Sequence, residues 1–221
     1  MKKRFIIIPL AVVASLSLAV AVPFIVLAAR SNGINVDYQY LKDDTTYSSK
    51  EEVGVVELVT QEISCGYATI EMMSSYYGNK VSEEELSDKN GGGISTSSSN
   101  GFLNELNQSV PSHTFIKHSY LRNDDLLKEI HTSLAKNHPV AIEWAALYEN
   151  EWTLHFSLVT AIDLSHDNVT IYNPYGYIEN INVDNFINRT TFNAYDNIPL
   201  FLNFGFAFGA FEKNTIFYTM E

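Results

Sequence analysis

The only cysteine of the chain stands at the start of a predicted helix. Apolar or aromatic residues recur at helical spacing after Cys65, and Gly78 follows where a left-handed C-terminal residue would lie. We therefore predict a helix over residues 65–77, with Ser64 as its N-cap. The positive end of the helix dipole would lower the pKa of the Cys65 thiol and raise its nucleophilicity. A buried, inert cysteine is the alternative interpretation.

A thiol nucleophile needs a base, and the base needs a residue that orients its ring. His155 opens an apolar, β-branched run that predicts a strand, and Asn173 ends a second such run after a turn at residues 165–168. A hairpin of these strands would bring His155 and Asn173 to the same end, where an amide can orient an imidazole. Gln61, four residues before Cys65, is a side-chain donor that could help the Cys65 amide to stabilise an oxyanion.

The order of these motifs resembles a known family. Gln-x-x-x-Cys-Gly at residues 61–66 is followed by His-Phe at 155–156 and by Asn-Pro-x-Gly at 173–176. This order resembles papain-like cysteine peptidases, specifically the branch related to bacteriocin-leader (double-glycine) peptidases. The resemblance covers roughly residues 55–218.

The resemblance implies roles and a fold. Cys65 would be the nucleophile, His155 the general base and acid, Asn173 the orienting residue and Gln61 an oxyanion donor. The implied fold is α+β and papain-like, with an N-terminal helical part that carries the cysteine packed on a C-terminal antiparallel sheet that carries the histidine and asparagine. Two positions depart from the branch: Tyr67 stands where proline often follows Cys-Gly, and Asn173 stands where aspartate is common.

The first thirty residues predict a signal-anchor or a signal peptide. Three basic residues at 2–4 precede a run without charge over residues 5–29. A cleaved signal peptide usually has an apolar region of about 7–15 residues, whereas about 20 are needed to span a membrane, so the length favours an anchor. The small-residue pattern at residues 26–28 also permits cleavage. Because the basic cluster outweighs the lone Arg30, we expect a single-pass protein with its bulk outside the cell membrane, or secretion after cleavage.

The chain divides into three predicted regions: the N-terminal segment 1–30, a polar stalk or linker 31–52, and a peptidase-like domain 53–221. The formal net charge of −12 disfavours nucleic acid as a partner. The expected partners are a peptide or protein substrate and, through the N-terminal segment, a membrane. The oligomeric state stays open.

Several elements of the domain follow from periodicity and turn signals. We predict strands over 53–60, 113–118 and 139–144, helices over 82–87 and 124–136, a flexible segment over 90–101, and two closing strands within 192–221 around a turn at 212–214. Trp144 and Trp152 could line a substrate groove or belong to the core.

Other functions lack their motifs. The chain has no Gly-x-Ser-x-Gly elbow for a serine hydrolase and no His-Glu-x-x-His motif for a zinc hydrolase. His113 and His118 have no carboxylate or cysteine at ligand spacing, so no metal or cofactor is predicted. Acyl transfer by the same residues, and a catalytically silent papain-like module that binds peptides, remain open as alternatives.

Overall fold

The structure, a computed structural model, describes the backbone of residues 4–220 and the side chains from residue 17 onward. In these residues the α-helices are α1 (Arg4–Gly33), α2 (Cys65–Tyr76), α3 (Glu83–Asn90), α4 (Ser99–Ser109), α5 (Asn123–Ala135), α6 (Val183–Thr190) and α7 (Leu200–Ala207). The strands are β1 (Glu51–Glu52), β2 (Phe115–His118), β3 (Val140–Tyr148), β4 (Glu151–Asp163), β5 (Asn168–Asn173), β6 (Tyr177–Ile181) and β7 (Thr215–Thr219).

The strands form one antiparallel sheet in the order β2-β7-β3-β4-β5-β6. The long β3–β4 hairpin is paired from Val140 opposite Val159 to Tyr148 opposite Glu151, and β1 pairs with the far end of β4. β5 returns along β4, with Leu158 opposite Tyr172. The α+β class, with helices preceding an antiparallel sheet, is therefore confirmed.

The cysteine helix is fixed to the histidine strand by its apolar face. Tyr67, Ile70 and Met73 of α2 are fully buried, as their helical spacing predicts, and α2 packs on β4. Phe102 of α4 stacks on Phe156 of β4, with ring centroids 4.3 Å apart. Burial of each such side chain stabilises the fold by about 1.5–3 kcal/mol. This packing sets the position of the start of α2 relative to β4.

Of residues 31–52, predicted above to form a polar stalk, residues 31–33 end α1 and residues 34–52 pack on the domain. Leu41 is fully buried, and the Tyr38 hydroxyl donates to an Asp184 carboxylate oxygen at 2.6 Å. The two residues of β1 then join the sheet beside β4. The few apolar and tyrosine side chains of the segment are enough to attach it, while the division at residue 52 stays a prediction.

The N-terminal helix contacts the domain through an aromatic pair and through a cation–π contact, in which the Arg30 guanidinium carbon lies 5.2 Å from the centroid of the Tyr120 ring. The rings of Phe24 in α1 and Phe204 in α7 meet edge to face, 5.3 Å apart. Among residues 17–220, whose side chains are described, no helix has both the length and the apolar character that crossing a membrane requires. Lys2 and Lys3, on which the expected orientation depends, lie outside the described residues.

The prediction of a strand over residues 53–60 is wrong. Val53 and Val56 are buried, whereas Val55 is 98% exposed. A spacing of three between buried residues does not fit the alternation of a pleated strand. The valine-rich composition is therefore that of an irregular segment leading toward Cys65.

The prediction of two closing strands is half wrong, because the first of them is the helix α7. Leu202 and Phe206 are buried four residues apart, which is helical spacing. β7 follows as predicted. The segment 90–101 is also more regular than expected, since it contains a 3-10 helix at Gly93–Thr96 and the start of α4.

Candidate active site

Cys65 is the first residue of α2, as predicted; the residue as a whole is partly exposed, whereas its thiol group is enclosed by protein atoms. The backbone N–H groups of Phe156, Gly66 and Cys65 lie near its sulfur, where they lower the pKa of the thiol. Ser64 holds the N-cap position, but its hydroxyl contacts the Thr96 hydroxyl at 3.1 Å and does not cap the helix. Because Ser64 does not cap the helix with its side chain, the first backbone N–H groups of α2 are left to face the Cys65 sulfur.

Gly66 and Tyr67, which follow the cysteine, hold the glycine-rich segment 90–101 against the start of α2. A Cβ at Gly66 would come within 2.5 Å of the Thr96 Cβ, so only glycine allows this close approach. The hydroxyl of Tyr67 donates to the Gly92 carbonyl and accepts from the Ser95 hydroxyl at 3.0 Å. Tyr67, which departs from the branch pattern, thus anchors this loop to the cysteine helix.

His155 and Asn173 are both buried and are joined by a hydrogen bond of 2.9 Å between Nε2 and Oδ1. The backbone N–H of Tyr175 also donates to this Oδ1, at 2.9 Å. Since that amide can only donate, it fixes the oxygen of Asn173 toward the imidazole. His155 must then carry its proton on Nε2, which leaves Nδ1 free to accept one.

Tyr175 covers the imidazole. Its ring stacks on His155 with centroids 4.1 Å apart, and its hydroxyl lies 2.8 Å from the Thr153 hydroxyl. Tyr177, the second tyrosine of this segment, is exposed instead, and its hydroxyl reaches the Leu147 carbonyl. Of these two tyrosines, Tyr175 is the one that covers the imidazole.

The start of α2 lies against β4 at the position of the histidine, because Phe156, whose amide contacts the Cys65 sulfur, directly follows His155. Cys65 opens on a cavity of about 540 Å³. The cavity wall is mostly apolar, and it includes Trp152, Leu154 and Tyr195. Trp152 is thus a groove residue and Trp144 a core residue.

Gln61 lies beside the end of the asparagine strand. Its backbone N–H donates to the Pro174 carbonyl at 2.7 Å, and it borders a second cavity of about 420 Å³ together with Tyr175. Within the described part of the chain its Oε1 is buried without a hydrogen-bond partner. In the same residues, no three histidine, cysteine or carboxylate side chains cluster as metal ligands would.

Glu83 is a site residue that sequence reasoning missed. Its carboxylate accepts the backbone N–H groups of Glu62 at 2.7 Å, Ile63 at 2.9 Å and Ser64. These three residues fill the interval between Gln61 and Cys65. The capping box of Ser82 and Glu85 marks the helix that carries Glu83, but nothing in the sequence signals a contact about twenty residues away.

Burial determines the protonation states of Cys65 and His155. Desolvation raises the pKa of the Cys65 thiol to about 11, and it outweighs the effect of the three nearby amides. Desolvation also lowers the pKa of His155 to about 3, against the opposing hydrogen bond to Asn173. The prediction of a lowered cysteine pKa is therefore wrong, because removal from water outweighs the field of the helix terminus.

A pH profile of alkylation checks this result. We expect the rate of reaction of Cys65 with iodoacetamide to stay low from about pH 5 to 7 and to rise as the pH approaches the raised thiol pKa. In urea the same cysteine should follow an ordinary thiol pKa of about 8.5, so the native curve lies on the alkaline side. A native plateau at mildly acidic pH would show an ion pair of thiolate and imidazolium instead.

The fold and the arrangement of cysteine, histidine and asparagine define a papain-like cysteine peptidase fold of the bacteriocin-leader type. The model of the Peptidase_C39 like family matches residues 33–199, and the chain belongs to that family.

Among solved structures the chain is similar to a "double glycine motif protease from AMS/PCAT transporter in complex with the leader peptide". The TM-score is 0.50 at 15% identity, over 76% of this chain and 97% of that one. At this identity the likeness concerns the fold alone. No curated protein sequence matches the chain significantly.

Proposed function

We propose that this chain is a thiol peptidase in which Cys65 is the nucleophile, His155 the base, Asn173 the orienting residue and Gln61 an oxyanion donor. The observation that carries the proposal is the doubly fixed Asn173 Oδ1, bound to the Tyr175 amide and to His155 Nε2. It leaves Nδ1 of a buried imidazole without a proton, on the strand that contacts the cysteine helix. An imidazole nitrogen without a proton is the group that general-base activation of the thiol would use.

The chemistry follows from these neutral groups. As the Cys65 sulfur attacks a peptide carbonyl carbon, His155 Nδ1 takes the thiol proton. The oxyanion forms near the Cys65 amide and Gln61, which stabilise it. His155 then returns the proton to the leaving amine and the C–N bond breaks, leaving a thioester. Water, deprotonated by His155, hydrolyses the thioester and frees Cys65.

A peptide segment is the proposed substrate. The mostly apolar cavity beside Cys65 has the size and wall chemistry to take an apolar side chain. The related solved structure holds a leader peptide, which is a property of that protein and supports a peptide ligand here.

We further propose that the catalytic domain lies outside the cell membrane, tethered by the N-terminal segment or released after cleavage within it. The uncharged run over residues 5–29 supports this proposal. Cell fractionation followed by N-terminal sequencing tests it. A mature protein that begins near residue 29 indicates cleavage, an intact N-terminus in the membrane fraction indicates a tether, and an intact protein in the cytosol contradicts both.

Labelling by an active-site-directed epoxide tests the peptidase proposal. The native full chain should take up about one label per chain, at Cys65, much faster than the chain in urea, because only the folded site binds the peptide part of the epoxide and holds it beside the sulfur, an advantage that iodoacetamide does not have. Equal rates in the two states would favour the silent binding module.

Cleavage of a peptide library then separates hydrolysis from acyl transfer. In the presence of excess primary amine, a peptidase releases mainly free carboxyl termini, which mass spectrometry identifies. Predominantly amide products would identify an acyl transferase, and an unchanged library would contradict both activities.

A further inference from the structure

The side of Asn173 that faces away from His155 is held by an ion pair between a buried arginine and a partly buried glutamate. The Asn173 Nδ2 donates to Glu179 Oε1 at 2.7 Å. Arg189 donates to both carboxylate oxygens of Glu179, at 2.5 Å from Nη1 and 3.2 Å from Nη2. We propose that Glu179 and Arg189 are positioning residues that lock the amide of Asn173 and thereby the proton of His155 on Nε2. This inference rests on the proposed function of His155 as the base.

Arg189 is itself fixed from three directions. Its Nε donates to the Ala145 carbonyl at 2.7 Å, and its guanidinium carbon lies 3.6 Å from the ring centroid of Trp144. With Glu179 as the third partner, the side chain is 4% exposed. All of its contacts point to a rigid guanidinium rather than a solvated surface charge.

The carboxylate determines which way round the Asn173 amide lies. A carboxylate only accepts hydrogen bonds, and the Tyr175 backbone N–H on the other side only donates. The amide therefore has one favourable orientation, with Nδ2 toward Glu179 and Oδ1 toward His155. Exchange of the two ends would place the Asn173 Nδ2 against His155 and move the imidazole proton to Nδ1, where it blocks the base.

The charge of the pair also matters to His155. Arg189 on its own opposes protonation of the imidazole, after burial, and Glu179 faces the guanidinium. Tyr177 is a further titratable group beside Glu179, and the ring of Tyr175 stacks on the imidazole. Because the negative charge of Glu179 balances the positive charge of Arg189, the arginine opposes protonation of His155 less, and the imidazole can accept the thiol proton during attack. An ion pair that served stability alone would not change the protonation of His155.

Three variants of the full chain separate positioning from stability. In E179Q, Arg189 donates to the glutamine oxygen, so the glutamine NH₂ group faces the Nδ2 of Asn173. Two donors then oppose each other, which disturbs the orientation of the Asn173 amide. In the double variant E179Q/R189M no donor competes, and the glutamine oxygen can again accept from Asn173. R189M alone leaves an unpaired carboxylate that favours imidazolium.

Glu105 offers a matched control. It is buried in α4 and accepts from Lys89 Nζ at 2.7 Å and Asn90 Nδ2 at 3.0 Å, the same pattern in contacts with α3. E105Q therefore removes a similar charge outside the site.

We expect E179Q to lower kcat by about 10–100-fold, the range in which outer partners of functional histidines act, with KM nearly unchanged. ¹⁵N NMR at pH 7 should show His155 shifted toward the Nδ1–H tautomer. The double variant should recover most of both properties, and R189M should keep the wild-type tautomer while its imidazole titrates at higher pH. E105Q should resemble the wild type in kcat and tautomer, and thermal melting measures the stability of each.

The NMR readout needs no substrate, so it stays informative if the wild type hydrolyses no peptide, a result that would count against the proposed function alone. A wild-type tautomer and kcat in folded E179Q overturn the inference, and so does failure of the double variant to improve on E179Q. If E179Q does not fold, E179M/R189M, which removes the carboxylate acceptor of Asn173 and leaves no unpaired charge, should show part of the same tautomer shift, and its absence likewise overturns the inference.

Discussion

Substitution of Cys65 by alanine is expected to abolish peptide hydrolysis. Removal of the sulfur leaves no atom that can form the thioester, so the rate should fall by about 10⁴-fold or more, as it does when nucleophiles of triads are removed. The residue is small and partly exposed at the helix start, so the fold should persist. Hydrolysis of a peptide selected from the library, measured with wild type and C65A side by side, checks the expectation.

The hydrolysis rate of the His155→Gln variant should be compared with that of C65A. Because nucleophile and base act as a unit, this variant should lose nearly as much activity as C65A, and the double variant little more. Both should still bind the peptide, since the apolar cavity is intact. Turnover by C65A at more than a trace of the wild-type rate would refute the assignment of the nucleophile.

Outside the cysteine–histidine pair, substitution of Glu83 by alanine should have the largest effect. Three backbone N–H groups between Gln61 and Cys65 would lose their common acceptor. The loop that aims Gln61 and the Cys65 amide would no longer be fixed, and loss of an oxyanion donor costs about 10²–10³-fold in kcat. We expect a decrease in kcat of that order, measured on the same peptide, with a smaller change in KM.

The neighbouring residue supplies the control for Glu83. Glu84 is exposed on the same turn of α3, so E84A should leave kcat unchanged. E83Q, which keeps one acceptor oxygen, should fall between the wild type and E83A. Equal kcat values for E83A and E84A would show that the loop keeps its shape without the carboxylate.

Local sequence patterns predicted the elements around the site well. The helix at Cys65, the capped helix at Ser82 and the hairpin that carries His155 depend on periodicity, capping and turn residues, which act within a few positions of the chain. The predictions of a strand over 53–60 and of a first closing strand were wrong because they relied on the apolar composition of these segments. The spacing of the buried residues decides between strand and helix. Val55 and the buried pair in α7 show the difference.

The sequence by itself determined the candidate residues and their order: one cysteine at a helix start, a histidine and an asparagine on successive strands, and a family pattern that the fold confirms. Only the tertiary structure decided their surroundings. The carboxylates of Glu83 and Glu179 and the guanidinium of Arg189 come from α3, β6 and α6, and no sequence motif marks their contacts with the site. The degree of burial that makes Cys65 a neutral thiol is likewise a property of packing, because desolvation depends on every chain segment around a group and on none of them alone.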